Sequence, residues 1–221
     1  MNDAFSHLRS SRILKKVFIV SKTKMKNHVC VGGILENGVP VRLLSSNKIN
    51  QPIETNISIG EYYLIDYEKK SHLLRPHVED IVINDHYFQG SSVDIYHDLK
   101  FLLKHNKVTT HSGDLLDVFE SNITWSRSGA GYLSGKREVT NYSTCFWISN
   151  EPLYKLTLNS DCYYQNKDKT IKIKHVGFQD EIETITTGSL VRLSLARWWA
   201  KDNSVDKRCY LQLSGWFNER D

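Results

Sequence analysis

Residues 15–45 read KKVFIVSKTKMKNHVCVGGILENGVPVRLLS, and this stretch decides the fold. Three β-forming runs lie in it: KKVFIVSKT (15–23), HVCVGGILE (28–36) and PVRLLS (40–45). Valine, isoleucine and phenylalanine dominate each run, as expected for residues that fit a pleated, half-buried surface. The connections at Lys24–Asn27 and Asn37–Gly38 are too short for anything but antiparallel neighbours. Glu36-Asn37-Gly38 is a strong hairpin signal, because Asn-Gly accepts positive φ at both central turn positions. The stretch predicts an antiparallel meander.

Working outward, GEYYLIDYEKK (60–70) and EDIVIND (79–85) complete a first set of five strands. The pattern then changes. Within VDIYHDLKFLLKHNK (93–107), Ile95, Leu99, Leu102 and Leu103 form one helical stripe, with Ser92 as its expected cap. A second short helix is expected from Gly113 to Ser121, and WSRSGAGYLSGKRE (125–138) reads as a loop. Strands resume with TCFWIS (144–149), LYKLTLN (153–159), CYYQN (162–166), KTIKIKHVGFQ (169–179), SLVRLSLARWW (189–199) and KRCYLQLSGWF (207–217). The order is β, helix, β. It predicts a mainly β protein of two OB-like β-barrels joined by a short helical connector. The expected division is an N-terminal arm (1–14), a first barrel (15–90), a connector with a Gly-rich loop (91–137) and a second barrel (138–221).

An apolar fraction of 40% and a charged fraction of 24% are those of a folded protein. The formal charge is only +4, but it is unevenly spread. From His7 to Lys48 there are nine Lys/Arg and one acid, Glu36; from Ile49 to Asp98 there are three Lys/Arg and nine acids. A basic face and an acidic face follow from that division. No stretch approaches the roughly 18 apolar residues of a membrane span. The N-terminus carries no secretory pattern. Cys30, Cys145, Cys162 and Cys209 are far apart and lack zinc-finger spacing. A cytoplasmic protein with reduced thiols is expected.

The candidate binding residues are cations beside aromatic rings, the pairing that neutralises phosphates and stacks bases. In the C-terminal block these are Arg192, Arg197, Trp198, Arg208 and Trp216, with Trp199 and Lys207 in the same cluster. Around the first hairpin they are Lys22, Lys24 and Lys26, with Arg42 on the third strand. Trp125 and Arg127, in the segment between the barrels, are placed to close over a ligand held there, and Lys136 and Arg137 lie in the same segment. Gly129-Ala-Gly131 has the composition of a phosphate cradle but not the spacing of a Walker loop.

Catalytic motifs are missing: there is no GxxxxGK[ST], GxSxG or HExxH. His77, Glu79, Asp80, Asp85 and His86 could ligate a divalent metal. Glu79 and Asp80 face opposite ways in a strand, however, and Asp85-His86 reads as the turn after it. A structural edge strand is the stronger reading, and no metal, cofactor or catalytic residue is expected.

FIVSKTK (18–24), CVGGI (30–34), VRLLS (41–45), RPHVED (75–80), SLAR (194–197) and CYLQLSGW (209–216) together resemble the dual OB-containing domain family of bacterial proteins. The resemblance runs from about Lys15 to Phe217, and its C-terminal block is the most specific part. Where the family pattern has a Trp-Ile-Arg-Pro-Val-like strand this chain has Val-Pro-Val-Arg-Leu-Leu, and where it has Ala-Arg-Pro this chain has Ala-Arg-Trp; Arg42 and Arg197 survive both changes. The resemblance implies nucleic-acid recognition in a bacterial conflict or defence setting. The expected function is non-catalytic recognition of nucleic acid, single strands favoured, with the two barrels gaining affinity in tandem. Alternatives are a protein-interaction module docking a partner through the acidic 49–98 face, and a nucleotide or small-molecule sensor binding between the barrels near Trp125 and Gly131.

Overall fold

The structure is a computed structural model that describes residues 14–108, 110–200 and 206–219. The expected arm falls almost wholly outside these residues. Among the described residues there are fifteen strands, one α-helix and one 3-10 segment.

The first five strands are β1 (Lys15–Lys24), β2 (Val29–Leu35), β3 (Pro40–Leu44), β4 (Glu61–Lys69) and β5 (Asp80–Ser91). They close a barrel in the order β1-β2-β3-β5-β4, with β3 and β5 parallel and the other pairs antiparallel. That is the Greek-key order of an OB barrel. The meander reading of 15–45 holds, and Gly38 takes φ of 82° in its turn, where its N–H bonds Leu35. β5 continues through Asp85 and His86, with a shift of register against β4 just before Asp85, correcting the turn expected there.

Val17 to Ser21 are buried without alternation, because both faces of β1 are covered. Val17 and Ile19 fill the barrel interior. Phe18 and Val20 face outward into a second cluster with Leu99, Leu103, Phe146, Leu190 and Phe217.

Leu99 and Leu103 belong to α1 (Ile95–His105). Asp94 caps this helix, accepting from the His97 N–H, and Ser92 donates instead to the Asp98 carboxylate. The cap thus lies two residues beyond the expected one. The 3-10 segment Leu115–Ser121 takes the place of the second helix.

The second unit holds β6 (Thr110–Gly113), β7 (Ile123–Trp125), β8 (Gly131–Ser134), β9 (Thr144–Ser149), β10 (Leu153–Leu158), β11 (Asp161–Gln165), β12 (Lys172–His175), β13 (Thr184–Ile185), β14 (Leu190–Leu195) and β15 (Arg208–Phe217). Its order β10-β11-β12-β15-β14 repeats that of the first barrel, again with one parallel pair, β12 and β15. The long first strand is divided here: β10 pairs β11, while β9, just before Pro152, pairs β14. The supposed loop 125–138 contains β8, which pairs β15 through Arg208–Tyr210. One apolar cluster, including Trp147, Tyr164, Leu193 and Leu213, fills this unit.

Candidate nucleic-acid interface

The two units meet along the outer faces of β1, β2 and β3 and the start of β5. Parallel pairing sets Arg42 beside Asp80 in register, so both side chains leave the same face of the first barrel. The Asp80 carboxylate, only 2% exposed, accepts from Arg42 Nε and, at 2.9 Å, from Arg197 of the second unit. Burial by itself would raise the Asp80 pKa; the two guanidiniums more than offset it and hold the group below the usual carboxylate range. Glu79, on the opposite side of the chain, takes the N–H and hydroxyl of Ser143. His77 Nε2 lies 3.8 Å from Cys209 Sγ, and burial, with Arg42 and Arg197 nearby, lowers its pKa to about 3. Trp198 donates its indole N–H to the Arg75 carbonyl at 2.8 Å. Main-chain bonds Lys24 N–H to Val176 O and Phe178 N–H to Lys22 O complete the seam.

Several sequence-selected residues are therefore structural. Arg192 is 5% exposed, with Nη1 donating to Ser214 Oγ at 2.9 Å. Trp216 is 6% exposed and packs against Tyr164 and His175. Neither can meet a base or phosphate on the outside, which corrects both expectations. Arg42 and Trp198 bond across or beside the seam, as does Arg197, whose side chain keeps 42% exposure. Trp125 lies against Gly131 and packs on the core of the second unit. The glycine turn is no phosphate cradle: Gly129 packs on Thr170, and its carbonyl takes the Lys172 N–H at 2.8 Å. Arg127, Lys136 and Arg137 are exposed on the segment before β9.

The candidate metal group separates, with Glu79, Asp80 and His77 each committed elsewhere. Among the described residues Cys162, His175 and Glu181 come within 4.8 Å of one another through their ligand atoms. Burial pushes the Cys162 thiol to about 11, and Glu181 is held by Lys155 at 3.1 Å. This group carries no reading as it stands.

What remains outside is the outer face of the second unit. Cys209 and Leu211 point into the core, so Arg208 and Tyr210 point out. By the same alternation Tyr132 on β8, Tyr163 on β11 and Lys172 and Lys174 on β12 face outward. Arg208 lies over the Tyr132 ring at 4.3 Å from its centroid, and its guanidinium also holds Asp206. Tyr210 contacts Tyr132 at 5.8 Å and Trp199 at 6.1 Å. Trp199 is 52% exposed and sits opposite Arg208 through paired main-chain bonds. Lys172 lies over Tyr163 at 5.5 Å. Beyond β12 the chain reaches Phe178, 43% exposed, with Lys22 and Lys24 over its ring at 5.5 and 5.8 Å. Lys26 is exposed nearby in sequence.

The sequence pattern of the dual OB-containing domain matches residues 15–216. No curated protein sequence matches the chain. Among solved structures the p204 HINb domain is similar at 12% identity and a TM-score of 0.31, over 91% of this chain and 97% of that one. The Ifi202 HINa domain, solved in complex with 20bp dsDNA, is similar at 12% identity and a TM-score of 0.28, over 91% and 98% of the two chains. The closed barrel, the large sheet of the second unit and the CYLQLSGW block fall inside the matched span, and the chain belongs to the dual OB-containing domain family.

Proposed function

We propose that this chain is a non-catalytic nucleic-acid recognition module that holds a strand on the outer face of its second barrel. One observation carries the reading: Trp199, Tyr210, Tyr132 and Tyr163 stand out from that face with Arg208 and Lys172 beside their rings. The β11–β12 surface is the second and third strand of an OB barrel, the surface on which such barrels take oligonucleotides. Rings with adjacent cations suit single strands, whose bases are free to stack. The corresponding face of the first barrel is closed by the seam, so the expected tandem of two sites becomes one site on one barrel. Lys22, Lys24 and Phe178 extend it toward the first barrel.

The non-enzymatic reading is supported by Glu79 and Asp80, whose carboxylates are bonded in the seam. The four free cysteines suit a reducing compartment such as the cytoplasm. A sensor or adaptor role in a bacterial conflict system rests on the family resemblance alone. The second reading, a partner-docking module, is favoured by Tyr87 and Phe88 on β5, 49% and 57% exposed.

Fluorescence anisotropy with labelled single-stranded DNA, single-stranded RNA and duplex DNA, each at two salt concentrations, tests the proposal. The expected result is single-strand binding that weakens steeply with salt. No binding to any of the three at low salt overturns it and leaves the docking reading.

A further inference from the structure

The seam lines a cavity of about 60 Å³ between the two units. Arg42, Arg192 and Arg197 line it together with the Glu79 carboxylate, and Ser21 and Ser194 are among the residues around it. Its size is that of about four water molecules, or of one tetrahedral oxyanion.

Charge is what makes the cavity unusual. Arg192 is 95% buried by its 5% exposure, and its guanidinium makes no ion pair among the described residues; its one bond goes to Ser214. Arg42 is paired through Nε to Asp80, but its Nη2 is buried and has no partner. A guanidinium cannot shed its proton to escape burial. Three arginines (42, 192 and 197) face two carboxylates, and both carboxylates already accept other bonds. Burying an unmatched charge is unfavourable unless a counter-charge accompanies it. Gly32 leaves the space: a Cβ there would stand 2.6 Å from Arg192 Nη2 and 2.5 Å from Ser21 Oγ. Met25, 42% exposed, lies on the rim and gives the cavity an opening to solvent.

We propose that the inter-barrel cavity is a binding site for a phosphate-sized oxyanion, held between Arg42 and Arg192 with hydroxyl donors from the surrounding serines. Arginine forks with hydroxyls are the donor set that tetrahedral oxyanions select. Inorganic phosphate and the terminal phosphate of a nucleotide share this chemistry. The occupied site ties the two barrels together through the anion. It stands apart from the outer aromatic face and does not depend on that face binding nucleic acid.

Thermal unfolding and calorimetric titration of the full chain with sodium phosphate, AMP and adenosine test the site, against sodium chloride at matched ionic strength. Phosphate, AMP or both are expected to raise the melting temperature saturably, with one anion per chain and adenosine inert. A response to AMP alone assigns the site to a terminal phosphate, and a response to phosphate alone to the free anion. In Arg192→Met, Ser214 Oγ keeps its bond to the Arg192 carbonyl, so the variant is expected to fold without loss of melting temperature and to bind anion at least tenfold more weakly. Gly32→Ala displaces the same guanidinium without removing it, and serves if Arg192→Met fails to fold. Phosphate and AMP effects no greater than that of chloride overturn the proposal, as does a full anion response in a folded Arg192→Met protein.

Discussion

Asp80 of the first barrel and Arg197 of the second are bonded at 2.9 Å across 117 residues of chain. The same carboxylate holds Arg42 of its own barrel. Removing Asp80 leaves Arg42 buried without its partner, whereas removing Arg197 takes away a partly exposed one. Asp80→Ala is expected to destabilise by about 3–5 kcal/mol and Arg197→Ala by about 1 kcal/mol. Urea unfolding of the two variants checks the ranking, and equal losses would show that Arg197, not Arg42, is the main partner.

Trp199 and Trp216 are predicted to part company. Trp199→Ala should weaken oligonucleotide binding by about 1–3 kcal/mol and leave the melting temperature unchanged. Trp216→Ala should cost about 3–5 kcal/mol of stability. Measuring melting and binding on the same samples separates them. A Trp199→Ala protein that binds as the parent does removes this ring from the site.

Arg208→Ala and Lys172→Ala should each flatten the dependence of log K on log salt by about 0.7 for a single strand. Titrations at four salt concentrations give the slopes. Unchanged slopes in both variants place the phosphate contacts elsewhere.

Acid should loosen the seam through His77. Its folded pKa of about 3 lies below the ordinary value of 6.5, so between these values the unfolded chain binds more protons. Stability from this group is full above pH 6.5 and falls as pH drops toward 3, by up to about 1.4 kcal/mol per pH unit. Asp80 adds its own loss only as pH falls through its depressed pKa, below the ordinary 3.8. Denaturant unfolding at pH 7, 6, 5 and 4 should show the slope, and His77→Gln should reduce it. A parent protein equally stable at pH 7 and pH 4 rejects this account.

Much of the fold was legible because it is local. The 15–45 meander, the Asn37-Gly38 turn and the leucine stripe of α1 each follow from residues near in sequence. The site was less so. Trp198 and Trp199 are adjacent in sequence, and nothing in the string RWWA says which ring finds the Arg75 carbonyl and which faces water. Trp216 and Phe217 are both buried because β15 is covered on both faces, one by the barrel core and one by the cluster under α1. Arg42, Arg192 and Arg197 look like surface charge until the second barrel is laid over the first. β8 was hidden by Gly131 and the glycines on either side of it, and by its partner, β15, lying more than seventy residues on.

α1 does more than join the barrels. Leu99 and Leu103 share one apolar cluster with Phe18 of the first barrel and with Phe146, Leu190 and Phe217 of the second. A gene cut at the apparent boundary would give two polypeptides, each with half of that cluster bare to water. Neither half is expected to serve as a portable cassette, and fusion designs and truncation maps are expected to need the pair intact.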